Sequence, residues 1–240
     1  MKWLVFAKRN AREILRDPLT LIFGAGFPVI LLLLLTMIQR NIPVSLFELE
    51  SLTPGVVVFG YSFLALFAAL LVSKDRGTSF LLRLFSSPMT AADFILGYLL
   101  PLVPMAAVQC LLTYLTAALL GLELTAGCLA SGALSLVTAV MFISLGLLLG
   151  SVLNDKQVGG VCGALLTNLS AWRSGTWFSL DLVGGWFKKL AFALPFANGV
   201  ELGRAAVNGT GLLPYLWWCL GYAVVLTAAA IVVFRGKMKE

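Results

Sequence analysis

Long apolar runs are the feature that most constrains the fold of this chain. A helix needs about 20 mostly apolar residues to cross the hydrocarbon core of a bilayer. Of the 240 residues, 60% are hydrophobic and only 12% are charged, whereas a soluble domain is about 25% charged. A soluble fold could not bury so much apolar surface, so the sequence predicts an all-α polytopic membrane protein.

Six runs are long and apolar enough to be drawn as transmembrane helices. They are residues 19–38, 53–73, 94–120, 128–153, 158–177 and 214–234. The third contains Pro101 and Pro104, which remove backbone donors and are expected to kink it. A seventh candidate, 190–207, contains a proline, an asparagine and two charged residues, so we interpret it as part of a helix pair that dips into the outer surface.

The lysines and arginines predict the orientation. With the N-terminus in the cytoplasm, twelve of the 17 lie inside, which is the bias that membrane proteins show. Both ends of the chain are basic, so both termini should be cytoplasmic, in the inner membrane of a bacterium. The net charge of +6 then reflects topology and attraction to anionic membrane lipid. A nucleic-acid partner is not expected, because no basic patch is interleaved with aromatic residues.

The first 18 residues predict an amphipathic helix that lies in the inner membrane interface. One helical face contains apolar residues, and most of the basic residues lie elsewhere. The apolar positions are Leu4, Ala7, Ala11, Ile14 and Leu15. Asp17-Pro18 should end this helix, which leaves 19–234 as the permease domain and 235–240 as a basic cytoplasmic tail.

Several kinds of chemistry are absent from the sequence. The chain has no histidine and no C-x-x-C motif, so a zinc site and a Cys-His catalytic pair are not expected. We expect its four cysteines, Cys110, Cys128, Cys162 and Cys219, to be small buried hydrophobic residues. There is also no G-x-x-x-x-G-K-[ST] loop, so any ATP-driven work must come from a partner. We predict no catalytic residue, metal or cofactor in this chain.

Two connections that do not cross the membrane are unusual. The first, 73–93, reads SKDRGTSFLLRLFSSPMTAAD. Thr78 can cap a short helix whose apolar face points away from Arg83. Either the segment is a surface turn, with its apolar residues covered by the membrane, or it is a docking helix for a cytoplasmic partner.

The second connection, 174–213, is too apolar for a free loop and too interrupted for a span. We predict a re-entrant extracytoplasmic hairpin between the fifth and sixth transmembrane helices, since irregular backbone is tolerated at membrane depth where protein covers it. It is either a structural lid or a gate for substrate release.

Four stretches of the sequence resemble a known family. They are RNAREILRDPLTLIFGAGFPVILLLLL, KDRGTSFLLRLFSSPMTAADFILGY, SGTWFSLD and FALPFANGVELGR. From residue 8 to 234 the chain resembles the membrane subunit of an ATP-binding-cassette type-2 exporter. The resemblance implies a separate ATPase subunit, which binds ATP and Mg²⁺, and a second permease copy, as a homodimer or a paralogous heterodimer.

The resemblance also implies roles for particular residues. The amphipathic helix and a coupling helix after the second span would contact the ATPase. The coupling residues are Lys74, Asp75, Arg76, Gly77, Thr78, Ser79, Leu82, Arg83 and Phe85. The extracytoplasmic gate would contain Ser174, Gly175, Trp177, Phe178, Pro195 and Phe196. The family often has Glu at the position of Asp75 and proline at the position of Ser179.

Polar residues inside the spans are candidates for a substrate path. The fifth span has a small polar stripe at helical spacing, which either lines the path or bonds to another helix. The candidates are Tyr61, Ser62, Gln109, Thr167, Asn168, Ser170 and Arg173. Two G-x-x-x-G motifs, at Gly146/Gly150 and Gly159/Gly163, could allow helices to slide, or serve ordinary packing within the chain.

Three classes of function remain. The first is an exporter subunit, with a small amphipathic compound or drug as substrate, or else a lipid-linked glycan or an ion. The second is an ion-coupled transporter or channel, which would need carboxylates inside the spans, whereas Asp and Glu here lie in or near loops. The third, a membrane-embedded enzyme, lacks an intramembrane carboxylate pair. The sequence favours the exporter subunit.

Overall fold

The computed structural model describes residues 2–43, 47–176 and 185–238, and within these ranges the chain consists of helices joined by turns and loops, with no strand. The helices are α1 Lys2–Arg16, α2 Pro18–Gln39, α3 Leu49–Arg76, α4 Ser79–Phe85, α5 Ala91–Leu119, α6 Ala126–Val152, α7 155–173, α8 Gly185–Ala193, α9 Pro195–Asn208 and α10 Leu213–Lys237. Both α2 and α7 contain a π-helical stretch, at Ile22–Gly26 and Gly159–Leu166.

Five of the described helices, α2, α3, α5, α6 and α10, are long and apolar enough to cross a membrane. The chain is therefore a multi-pass membrane protein. The predicted run 158–177 corresponds to α7, which begins earlier with Asp155 and Lys156 and is not among the five. Its predicted last residue, Trp177, lies outside the described residues.

The ends of the helices cluster on two opposite sides of the bundle, which we call the proximal end and the distal end. The proximal end contains α1, the end of α3, α4, the start of α5 and the end of α10, where the rings of Phe94 and Phe234 lie 5.4 Å apart. The distal end contains the start of α3, the end of α7 and α9. There, Thr176 donates to the Gly55 carbonyl over 3.4 Å.

Helices α3 and α6 form the centre of the bundle and run in parallel. They approach closely because Gly146 and Gly150 have no side chain, and a Cβ atom at either position would collide with the carbonyl oxygen of Ala65 or Ala69. This motif therefore serves packing within the chain. A Cβ at Gly159, in the second motif, would meet nothing.

Short polar side chains cap five of the ten helices in the described ranges. Thr78 accepts from the Phe80 amide at the start of α4, as the sequence predicted. Thr90 and Asp93 form a capping box at the start of α5, and each such cap is worth about 1 kcal/mol. Helix α5 continues through Pro101 and Pro104 to Leu119.

Helix α1 packs on α5, with a buried face that differs in part from the predicted one. Ala7 and Ile14 are buried, but Leu4 and Leu15 are exposed. The remaining buried positions are Phe6 and Asn10. The buried face follows Phe6, Asn10 and Ile14 at four-residue spacing, and it was missed because its central position is polar and is buried through a hydrogen bond to α5.

Helix α9 runs antiparallel to α6 within the distal half of the bundle. It begins with the ring of Phe196 5.4 Å from that of Phe142 and ends near Gly127, where an added Cβ would meet the Val207 carbonyl. Phe142 is about 24 Å along α6 from its start, at 1.5 Å per residue. Asn198 donates to two carbonyls at the turn between α8 and α9.

Candidate functional site

A partly buried ion pair joins α1 to α3 at the proximal end. Arg9 reaches both carboxylate oxygens of Asp75, at 2.6 and 2.9 Å, and Tyr98 on α5 donates to the same carboxylate over 2.8 Å. The Asp75 side chain is only 6% exposed. A buried carboxylate needs this many donors because burial without them is costly, so three helices are held together at one point.

Further contacts fix the position of Arg9. It pairs with Glu13 on the same helix at 2.9 Å and its guanidinium lies 4.4 Å from the centre of the Phe80 ring on α4. Partial burial alone would lower the pKa of Arg9, but the hydrogen bond and the charge of Asp75 outweigh it and the pKa is raised. Arg9 therefore stays charged and contacts α3 and α4 together.

Helix α1 is also held on α5 by Asn10 and Phe6. Asn10 donates to the Gly97 carbonyl over 3.0 Å. The Phe6 ring packs edge-on against Phe94 and Tyr98, with centroids 5.4 and 4.9 Å apart. A Cβ at Gly97 would collide with Phe6, so the contact depends on a glycine in α5.

The apolar face of α4 is buried against the chain itself. Leu81 is 1% exposed, and the Phe85 ring packs edge-on against Phe94 and Phe234, with centroids 5.7 and 6.0 Å apart. The opposite face contains Arg83, which is exposed as the sequence predicted. The helix is thus anchored to α5 and α10 and presents a polar side outward.

The remaining predicted coupling residues divide into two groups. Lys74, Gly77 and Thr78 are exposed. Arg76 is directed inward and donates to the carbonyls of Gly150 and Leu153, at 2.9 and 3.3 Å. The side chains of Ser79 and Leu82 lie outside what the structure describes.

The path candidates on α3 and α5 are buried and bonded within the protein. Tyr61 shares a 2.8 Å hydrogen bond with Ser135 on α6, and Ser62 donates to its own helix at the Phe59 carbonyl over 2.6 Å. Gln109 on α5 donates to the Val57 carbonyl on α3 over 3.0 Å. Its carbonyl oxygen is buried without a partner among the described residues.

The candidates on α7 form a separate group. Thr167 and Asn168 donate to carbonyls one turn earlier in their own helix. Ser170 is fully buried, and its hydroxyl has no partner in the described part of the chain. The Arg173 side chain lies outside the described atoms. No hydrogen bond within the described ranges joins these residues to Tyr61 or Gln109.

The predicted gate lies partly within the described distal end. Ser174 and Thr176 share a 2.6 Å hydrogen bond, and Pro195 and Phe196 are buried at the start of α9. Gly175 has a φ of +72°, which favours glycine. Trp177 and Phe178 lie outside the described residues, as does Ser179.

Arg204 on α9 is the centre of the distal contacts. It donates to the carbonyl of Ser51 over 3.1 Å and to that of Gly175 over 2.9 Å, and it pairs with Glu201 at 3.0 Å. From the sequence, this residue is predicted only to lie outside the cytoplasm, in a segment that does not span the membrane. No local pattern links Arg9 to Tyr98, because their common partner Asp75 is distant in the sequence.

Possible metal ligands form no cluster in the described part of the chain. Within 2–43, 47–176 and 185–238, no group of three or more His, Cys, Asp or Glu side chains could hold a metal ion. The four cysteines are buried and free. The candidate site is a set of helix contacts at the proximal end, with an exposed polar face on α4.

Comparison with known proteins identifies the family of the chain. No match to the chain was found among curated proteins. The family model for the ABC-2 type transporter matches residues 1–207, most of the chain, including α1, α4 and nearly all of α9. Members of this family are transport permease components that work with an ATP-binding-cassette subunit. The chain therefore belongs to the ABC-2 type transporter membrane family and is the transmembrane subunit of a transporter.

Proposed function

We propose that this chain is the transmembrane subunit of an exporter, and that a separate ATPase subunit docks on α4 and α1 at the proximal end. The observation that carries the proposal is that α4 is anchored on α5 and α10 through Phe85 while Arg83 remains exposed. A helix held in this way can receive a push from a partner and transmit it to the membrane helices. ATP and Mg²⁺ would be bound by the partner, because the chain has no phosphate-binding loop.

The proposed topology has six crossings, with both termini in the cytoplasm of a bacterium. Helix α7 supports the sixth crossing, since it begins just after the Arg76 contact at Leu153 and is followed by the Thr176 contact at Gly55. The same geometry supports a re-entrant hairpin of α8 and α9, whose turn lies deep beside Phe142.

In the proposed mechanism, two permease copies enclose the substrate path between them. Closure of the ATPase dimer on ATP would move the α4 helices, and the contacts of Phe85 and of Arg9 with Asp75 would carry this movement into α3, α5 and α10. Binding of ATP to one state more tightly than to the other drives the change. The proposed substrate is a small amphipathic compound or drug, moved from the cytoplasm or inner leaflet to the outside.

The test is stimulation of ATP hydrolysis in a reconstituted complex of the permease and its ATPase. Arg83→Glu reverses the charge on the exposed face of α4 and should abolish most of the stimulation. Arg235→Glu makes the same charge change at another exposed proximal position and should leave stimulation within about twofold. Unchanged stimulation in Arg83→Glu would show that the docking assignment is wrong. Phe85→Ala is a poor test, because Phe85 is a packing residue.

A further inference from the structure

A cavity of about 760 Å³ lies at the proximal end between α1, the start of α2 and the end of α3. Its walls combine basic residues from α1 with apolar residues from two helices long enough to cross a membrane. This combination is unlike the α4 surface, where the apolar residues face the protein interior. The cavity therefore offers a distinct binding environment.

Three cations of the cavity wall form no ion pair within the described part of the chain. Arg12 and Arg16 lie one turn apart on α1 and are exposed, as is Lys74 at the end of α3. Arg9 also contributes to the wall, but its charge is already matched by Asp75 and Glu13. These three side chains can therefore take an anion.

Two carboxylates also face the cavity, and both have other partners. Glu13 pairs with Arg9. Asp17 accepts from the Leu19 amide and the Thr20 hydroxyl, at 3.1 and 2.7 Å, and the charge of Lys74 contributes to lowering its pKa. With four cations and two carboxylates, the wall has a net charge of +2, so it favours an anion.

The apolar part of the wall indicates what kind of anion fits. It contains Leu19 at the start of α2 and Phe67, Leu70 and Leu71 on α3. Leu19 is 62% exposed and Ile22, one turn later, is 55% exposed, so α2 continues from the cavity as an apolar surface that faces lipid. A free phosphate ion would make no use of this surface, whereas an acyl chain would cover it.

We propose that this cavity binds a membrane lipid with an anionic phosphate headgroup. The headgroup would lie between Arg12, Arg16 and Lys74, which suit phosphate through charge and through the planar arginine donors. The acyl chains would pass Leu19 and Phe67 into the bilayer. A lipid bound in this way bridges α1 to α3 beside the Arg9–Asp75 ion pair and stabilises α1 on the membrane surface.

The test is native mass spectrometry of the full-length purified chain titrated with phosphatidylglycerol or phosphatidylcholine. Phosphatidylglycerol should bind at least about tenfold more tightly than the zwitterionic lipid. Arg12→Gln/Arg16→Gln should weaken phosphatidylglycerol binding about thirtyfold, and Arg12→Gln alone about fivefold. Lys156→Gln/Arg235→Gln removes the same charge from exposed proximal positions outside the cavity and should change binding by less than about twofold.

The outcomes separate this proposal from its alternatives. Equal losses in the two double variants would overturn it in favour of general charge attraction. Displacement of the lipid by equimolar inorganic phosphate would overturn it in favour of a free-ion site. Retained binding in Arg12→Gln/Arg16→Gln would overturn it outright. None of these measurements involves transport or the ATPase, so the result is independent of the proposed function.

Discussion

The two ends of the bundle each depend on one arginine, but the two arginines have different partners. At the proximal end, Arg9 pairs with a buried carboxylate that also accepts from Tyr98. At the distal end, Arg204 donates mainly to backbone carbonyls, and its carboxylate partner Glu201 is 28% exposed. The proximal contact therefore joins a buried carboxylate to the charge that compensates it, whereas the distal contact joins an arginine to two backbone carbonyls and to a partly exposed carboxylate.

Because of this difference, a single substitution should cost more stability at one end than at the other. Loss of one partner of a buried ion pair leaves a second charge without compensation, which costs more than the pair contributes. Loss of Arg204 leaves two neutral carbonyls short of a hydrogen bond, and the one carboxylate that loses a partner, Glu201, is partly exposed to solvent. The proximal end, where we propose the ATPase docks, is thus the more sensitive to single substitutions.

The largest effect is expected for Arg9→Gln. Among the described residues it leaves the buried Asp75 carboxylate with Tyr98 as its one side-chain donor, and we expect a loss of about 3 kcal/mol in the free energy of unfolding, measured by SDS titration in mixed micelles. Arg9→Gln/Asp75→Asn should recover part of this loss. The interpretation fails if the double variant is as unstable as the single one. Glu13→Gln, which removes only an exposed partner of Arg9, should cost less than about 0.5 kcal/mol.

Arg204→Gln should have a smaller effect, of about 2 kcal/mol in the same titration, because two of the groups that lose a donor are neutral and the third, Glu201, is partly exposed. Glu201→Gln is the control, since it leaves the bonds from Arg204 to Ser51 and Gly175 in place, and it should cost less than about 1 kcal/mol. A loss for Arg204→Gln larger than that for Arg9→Gln would reverse the comparison between the two ends.

Tyr98→Phe should cost about 1.5 kcal/mol, the value for a hydrogen bond to a charged group. The ring contact with Phe6 is kept, so the loss reports the hydroxyl alone. If the carboxylate is the reason for the loss, Tyr98→Phe should cost much less in an Asp75→Asn background. Equal costs in both backgrounds would assign the effect to packing.

The smallest effect concerns pH. Hydrogen bonds from Thr20 are the largest cause that lowers the pKa of Asp17 below its usual 3.8. A carboxyl group whose pKa is lower in the folded state than in the unfolded state stabilises the folded state at pH values above its unfolded pKa. This stabilisation disappears as the pH falls through the pKa of the folded state. The difference in melting temperature between the wild type and Asp17→Ala should therefore shrink below about pH 4. A difference that stays constant across this range would contradict the assignment.

Hydropathy was sufficient to predict most of the helices. The predicted run 19–38 corresponds to α2, Pro18–Gln39, because the length of a lipid-facing helix is set by the bilayer. The predicted run 53–73 is shorter than α3, Leu49–Arg76, since both ends of α3 contain charged residues that hydropathy excludes. The π-helical stretches in α2 and α7 had no recognisable signal in the sequence.

The candidate site was predicted only in part. Local patterns were enough to place the cap at Thr78 and the outward position of Arg83. They could not assign a partner to Asp75, because Arg9 is 66 residues away, and such pairings depend on how helices pack. The roles of the path and gate residues stay predictions, and Gln109 and Ser170 are notable among them for their unpaired buried atoms.

The pairing of Arg9 with Asp75 also sets an order for assembly. A ribosome makes α1 first, but its ion-pair partner follows 66 residues later, and Tyr98 later still. At a synthesis rate of about 5–20 residues per second, the wait lasts several seconds. During that time Phe6 and Ile14, buried in the finished protein, would lack the helices that cover them, so we expect the membrane surface to cover α1 until α3 and α5 have been inserted.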